Sequence, residues 1–168
     1  DKSPRRYLWT DAFAVCNYIG LFNTTQKPLF RDLAIKLVDQ VHHVLGQYHN
    51  QDNRQGWLAD PEHPTRNGLR IGKSLPERKP TEPYNARLEW DRDGQYFHYL
   101  TKWMVALVQM GRFLSKSKYF HWAIDLVKAS TAFIHDEGMY WKMDTELSRP
   151  LVPSMGQHDP LNGFVVYH

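Results

Sequence analysis

Four stretches of this chain place apolar residues at three- and four-residue intervals, and they come as two pairs of unlike helices. The spacing predicts helices over residues 11 to 22, 28 to 48, 94 to 114 and 118 to 134, with a fifth starting near Leu161. In the second, Leu29, Leu33, Leu37, Val41, Val44 and Leu45 form one stripe opposite Arg31, Asp32, Lys36, Asp39 and Gln40. The fourth has the same one-sided character. The first and third are apolar nearly all round, so odd helices are expected inside and even ones outside. Ala34-Ile35-Lys36-Leu37-Val38 also returns as Ala123-Ile124-Asp125-Leu126-Val127. A recurring hairpin with an inner and an outer member is the unit of an α/α toroid or an α-solenoid.

Two connections are too long to be simple linkers. Residues 49 to 93 carry no clear helix and are rich in Pro, Gly, Asn and Arg, yet Trp57, Leu58, Leu69, Ile71 and Leu88 supply apolar anchors. Long irregular segments in a compact domain are usually functional or disordered, and the anchors favour an ordered excursion. Residues 138 to 160 form a second excursion, in which residues 139 to 143 read as one short strand.

A length of 168 residues suits one domain, expected to span residues 1–168. No apolar run approaches the roughly 20 residues of a membrane helix, so no membrane is expected among the partners. The start at Asp1 is unlike a natural first residue, and a removed leader or further chain is expected before it. With no visible secretory signal, the cytoplasm is the expected compartment. Cys16 stands alone, which excludes an internal disulfide. The net charge of +3 is scattered among acids, which argues against nucleic acid as a partner. Neither paired Cys nor regularly spaced His or Asp ligands occur, so no metal and no cofactor is expected.

The polar residues of interest cluster at helix entrances. Leu88-Glu89-Trp90-Asp91-Arg92-Asp93-Gly94-Gln95-Tyr96-Phe97-His98 packs three carboxylates and an aromatic group before the third helix. A helix N-terminus needs one such acid as a cap, and Asp93 is the natural candidate. Trp9-Thr10-Asp11 opens the first helix, and Gly156-Gln157-His158-Asp159-Pro160 opens the fifth. Successive helices of a hairpin run antiparallel, so these three entrances are expected at one rim.

Trp9-Thr10-Asp11-Ala12-Phe13 and Leu88-Glu89-Trp90-Asp91-Arg92-Asp93-Gly94-Gln95-Tyr96, with the alternating helices, resemble the six-hairpin glycosidase superfamily. The resemblance implies an all-α, α/α-hairpin fold: part of an (α/α)6 toroid with long loops at one rim. Its members include glycoside hydrolases, unsaturated uronyl hydrolases and N-acylglucosamine 2-epimerase-like isomerases. Two hairpins and the start of a third stand where six are expected. The chain therefore reads as the N-terminal part of a larger toroid, completed by remaining chain or another subunit.

The leading expectation is a carbohydrate-active enzyme, a glycoside hydrolase with an acid pair drawn from Asp11, Glu89, Asp91 and Asp159. Trp9, Trp90 and Tyr96 would shape the sugar subsite, since flat rings pack on the C–H faces of sugars, with Gln157 and His98 beside them. Arg70, within a basic loop that also holds Arg66, Lys73, Arg78 and Lys79, would bind a uronate or phosphate group. The alternative is a sugar isomerase or epimerase using His98 or His158 as acid/base. A non-enzymatic helical-repeat scaffold, with its carboxylates pointing apart, is the third reading. The expected partner is a carbohydrate or another small polar substrate.

Overall fold

A computed structural model describes residues 5–136, 138–152, 154 and 158–167. The fold is mostly helical, about 54%, with six helices and a few small antiparallel strands among the described residues. The helices are α1 (Leu8–Thr25), α2 (Pro28–Leu45), α3 (Ala86–Asp91), α4 (Phe97–Leu114), α5 (Ser117–Ser130) and α6 (Asp159–Tyr167). The strands are β1 (Gln95–Tyr96), β2 (Ile134–His135), β3 (Gly138–Met139), β4 (Lys142–Met143) and β5 (Pro150–Val152). β1, β4 and β5 form one antiparallel sheet, and β2 pairs with β3 in a small hairpin.

α1 packs on α2 and α4 on α5 as two helical pairs, each turning at a residue in the left-handed conformation, Gln26 and Ser115. α4 is the axis of the core. Phe97, Leu100, Trp103, Met104, Leu107 and Met110 are all buried, because α1, α5 and α6 each cover part of its circumference. α1 lies beside α4 in the same direction: Trp9 meets His98 and Tyr99 near the helix starts, and Phe22 meets Phe113 near their ends. α6 runs along α4 likewise, with Asp159 near His98 and Asn162 bonded to Lys102.

Several boundaries differ from the sequence expectation. α1 is not buried all round: Phe13 and Leu21 are 49% and 42% exposed, although the Trp9 ring closes edge-on against Phe13 at 5.5 Å. α6 likewise exposes Leu161, Phe164 and Val165. The acidic segment at residues 88 to 93 does not open α4. It ends a separate short helix, α3, whose Asn85 cap accepts from the N–H groups of Arg87 and Leu88, both at 3.1 Å. α4 begins three residues later than expected, because Gln95 and Tyr96 extend to pair with Met143 and Lys142. Asp93 therefore caps no helix. It is fully buried and takes the N–H groups of Gly72 (3.0 Å) and Gly94 (3.1 Å), with an ion pair to Arg70. The strand expected over residues 139 to 143 is broken, because the N–H groups of Tyr140 and Trp141 bond to Phe133 and Ser154 instead of to one strand. α5 stops at Ser130 and gives way to a turn of 3-10 helix, Thr131–Phe133.

Candidate functional site

The starts of α1, α4 and α6 meet around one group of rings. β1 ends on Tyr96, directly before α4, so Tyr96, His98 and Tyr99 project from the strand end and the first helical turn. Tyr96 stacks on His98 at 5.2 Å between ring centres and on Trp141 at 5.3 Å. Trp90 closes edge-on against Trp141 at 5.4 Å, and Trp9 against His98 at 5.7 Å. Trp90 is 57% exposed, so the group opens to solvent. Burial pushes the phenols of Tyr96 and Tyr99 well above their usual range, the latter helped by its hydrogen bond with Tyr7. Both hydroxyls stay neutral at physiological pH.

His98 carries the most reactive arrangement. Its Nδ1 lies 3.6 Å from Asp159 Oδ1, outside normal hydrogen-bond range. Among the described residues, both Nδ1 and the other carboxylate oxygen, Oδ2, are buried without a hydrogen-bond partner, as is Glu89 Oε2 behind the rings. Leaving such groups unpaired costs about 1–3 kcal/mol each. The acid beside His98 comes from α6, and not from its own helix.

Glu89 is differently placed. It sits at 3% exposure, with Oε1 accepting from Arg78 Nε at 3.1 Å and Oε2 3.8 Å from Lys142 Nζ. Lys142 is fully buried, donates to the carbonyls of Glu89 and Arg92 at 2.8 Å each, and lies 5.7 Å over the Tyr96 ring. Burial pulls its ammonium down to about 8. Lys142 thus fastens α3 to the sheet behind the aromatic wall. Sequence reasoning passed it over, although a lone cation inside Met139-Tyr140-Trp141-Lys142-Met143 was a usable signal.

The remaining candidates lie apart. Asp11 turns back to accept from the Tyr7 N–H at 3.0 Å and pairs with Arg6 at 3.6 Å, capping α1. Burial raises its carboxyl, against the pull of Arg6. Asp91 is exposed and forms no ion pair among the described residues. His158 is exposed, with its carbonyl accepting the Asn162 N–H at 2.9 Å. Gln157 lies outside the described residues. Arg70 is not an open anion binder: Nη1 is on Asp93, Nε on the Gln47 carbonyl and Nη2 on the Val44 carbonyl. Its role is to quench carbonyls where α2 ends.

Among the described residues, no group of three or more His, Cys, Asp or Glu is placed to hold a metal ion. No helix among them is long and apolar enough to cross a membrane. Comparison with family models, characterised proteins and solved structures finds no match to this chain.

Proposed function

We propose that this protein is a carbohydrate-active enzyme that isomerises or epimerises a sugar, with His98 as acid/base and Asp159 as its partner. The observation that carries this reading is the buried, unsatisfied His98 Nδ1 facing Asp159 beside the Trp9, Tyr96 and Trp141 rings. A sugar ring packs on the aromatic faces. With the sugar in its open-chain form, His98 removes the proton from the carbon next to the carbonyl. In isomerisation it returns that proton to the former carbonyl carbon while the hydroxyl proton passes to the carbonyl oxygen. In epimerisation water supplies a proton to the opposite face while His98 releases its own to solvent. Asp159, 3.6 Å from Nδ1, balances the charge formed on the imidazole. In this reading the fold is of six-hairpin type: α1–α2 and α4–α5 are hairpins, α6 is the inner helix of a third, and further chain or another subunit covers the exposed apolar faces of α1 and α6.

Glycoside hydrolysis is the second reading, favoured by one observation. Burial raises the Asp11 carboxyl, as a general acid requires. Glu89, Asp91 and Asp159 are then the candidate bases.

Two assays separate the readings: interconversion of aldoses and N-acylhexosamines, and release of phenol from aryl glycosides. His98→Asn is expected to lower the isomerisation kcat by about 10²–10⁴-fold, as loss of a positioned acid/base does, with an unchanged circular-dichroism spectrum. Full isomerisation activity in His98→Asn overturns the first reading. Hydrolysis that survives both Asp11→Asn and Asp159→Asn overturns the second.

A further inference from the structure

We infer that the cleft between the end of α2 and the segment leading into α1 binds a small phosphate ester. The cleft encloses about 460 Å³, within the range of small-molecule sites. Arg5, Arg6, Arg70 and Lys73 line it, and among the described residues no Asp or Glu does. The chain carries 21 Lys and Arg against 18 Asp and Glu, so a wall of one sign is a local segregation and not a reflection of composition. None of its lining residues belongs to the aromatic site, so the two sites stand or fall separately.

The positive charges are not equivalent. Arg70 is spent on Asp93 and on the carbonyls of Gln47 and Val44, and its own N–H bonds the Leu45 carbonyl at 3.0 Å. That consumption matters, because the carbonyl end of a helix repels anions. Arg70 covers the Val44 and Leu45 carbonyls at the end of α2 and the Gln47 carbonyl just beyond it. Arg6 is partly offset by Asp11, 3.6 Å away. Arg5 and Lys73 have no carboxylate within 4 Å among the described residues. Lys73 Nζ is held 5.4 Å over the Tyr7 ring. His49 adds a polar wall and no charge: its Nδ1 accepts the Gln51 N–H at 3.1 Å, and burial lowers its pKa. Arg5 and Lys73 thus bring unpaired cations to a concave space, and Arg6, whose Nε is on the Arg5 carbonyl and whose Nη1 faces Asp11, adds a partly shared third charge, an arrangement suited to charge-assisted bonds with phosphate oxygens.

Titration with glucose 6-phosphate, inorganic phosphate and glucose, followed by amide NMR shifts at low salt, tests the assignment. Both phosphates should saturate, glucose should not, and added salt should weaken binding. Lys73→Gln and Arg5→Gln should each weaken it about tenfold or more, whereas Lys73→Arg and Lys36→Gln, whose side chain does not line the cleft, should leave it intact. Tighter binding of glucose 6-phosphate than of inorganic phosphate identifies the ester as the ligand; equal binding overturns that part. Failure of either phosphate to saturate below about 10 mM overturns the site, as does equal weakening by Lys36→Gln.

Discussion

Replacing Asp93 by alanine should destabilise the fold more than any substitution on the exposed rim. The carboxylate is fully buried and holds three partners at once: the Arg70 guanidinium and the N–H groups of Gly72 and Gly94. Truncation strands a guanidinium whose side chain is only 6% exposed. Stranding one member of a buried pair typically costs about 3–5 kcal/mol. The two orphaned N–H groups fall within the same local loss, so about 4 kcal/mol is the expected total. With a urea m-value of about 2 kcal/mol/M, the midpoint should fall by about 2 M. Asp93→Asn separates the contributions, since its side-chain oxygen still accepts from Gly72 and Gly94 but carries no charge; its loss should be intermediate. The double variant Arg70→Met with Asp93→Ala should cost less than the sum of the single changes, because no charge is left stranded. Urea denaturation followed by circular dichroism measures all of these. A midpoint shift below about 0.5 M for Asp93→Ala would refute the reasoning, because it would mean that Arg70 finds water or another partner at no cost.

Lys142 should leave a signature at alkaline pH. Its folded value of about 8 lies under the unfolded 10.5, so between these limits the unfolded chain keeps a proton that the folded one has released. Stability should therefore rise with pH across pH 8 to 10.5 relative to Lys142→Met, by on the order of 3 kcal/mol at the upper end, and parallel pH profiles would refute it. Gly72→Ala should lower the melting temperature by about 5–10 °C, given the few kcal/mol such strain costs in a chain of this size. Its φ of +94° disfavours a side chain, and an added Cβ would lie 2.1 Å from the Arg6 carbonyl oxygen. An unchanged melting curve would show that the loop at Gly72 shifts freely.

Legibility in the sequence followed the range of the interactions involved. Most of the α2 stripe was readable, since helical periodicity is written within each segment, although Leu29 is exposed. α4 leaves Val105, Gln109 and Arg112 exposed, and α5 is one-sided but buries Tyr119, Ala123, Leu126 and Ser130 while Ile124 faces out. α3 was overlooked although Asn85, placed before Arg87 and Leu88, is an ordinary cap signal. The start of α4 was misplaced because Gln95 and Tyr96 owe their extended form to Met143 and Lys142, whose pairing no local pattern announces. For the site, Trp9, Tyr96 and His98 were named from their position at helix starts. Their company was not: Trp141 stacks on Tyr96 from a broken strand, and Asp159 faces His98 instead of acting with its neighbour His158.

The sequence by itself determined a largely helical chain and the nearness of Trp9, His98 and Asp159 to helix starts, because both depend on spacing over one or two turns. Only the tertiary structure decided what each carboxylate does. Asp93 and Glu89 are drawn into buried pairs with Arg70, Arg78 and Lys142, Asp11 folds back onto its own helix, and Asp159 is left beside His98 with no Lys or Arg paired to it among the described residues. The physical reason is that a carboxylate's chemistry follows its desolvation and its nearest cation, and both are set by segments far apart in the chain.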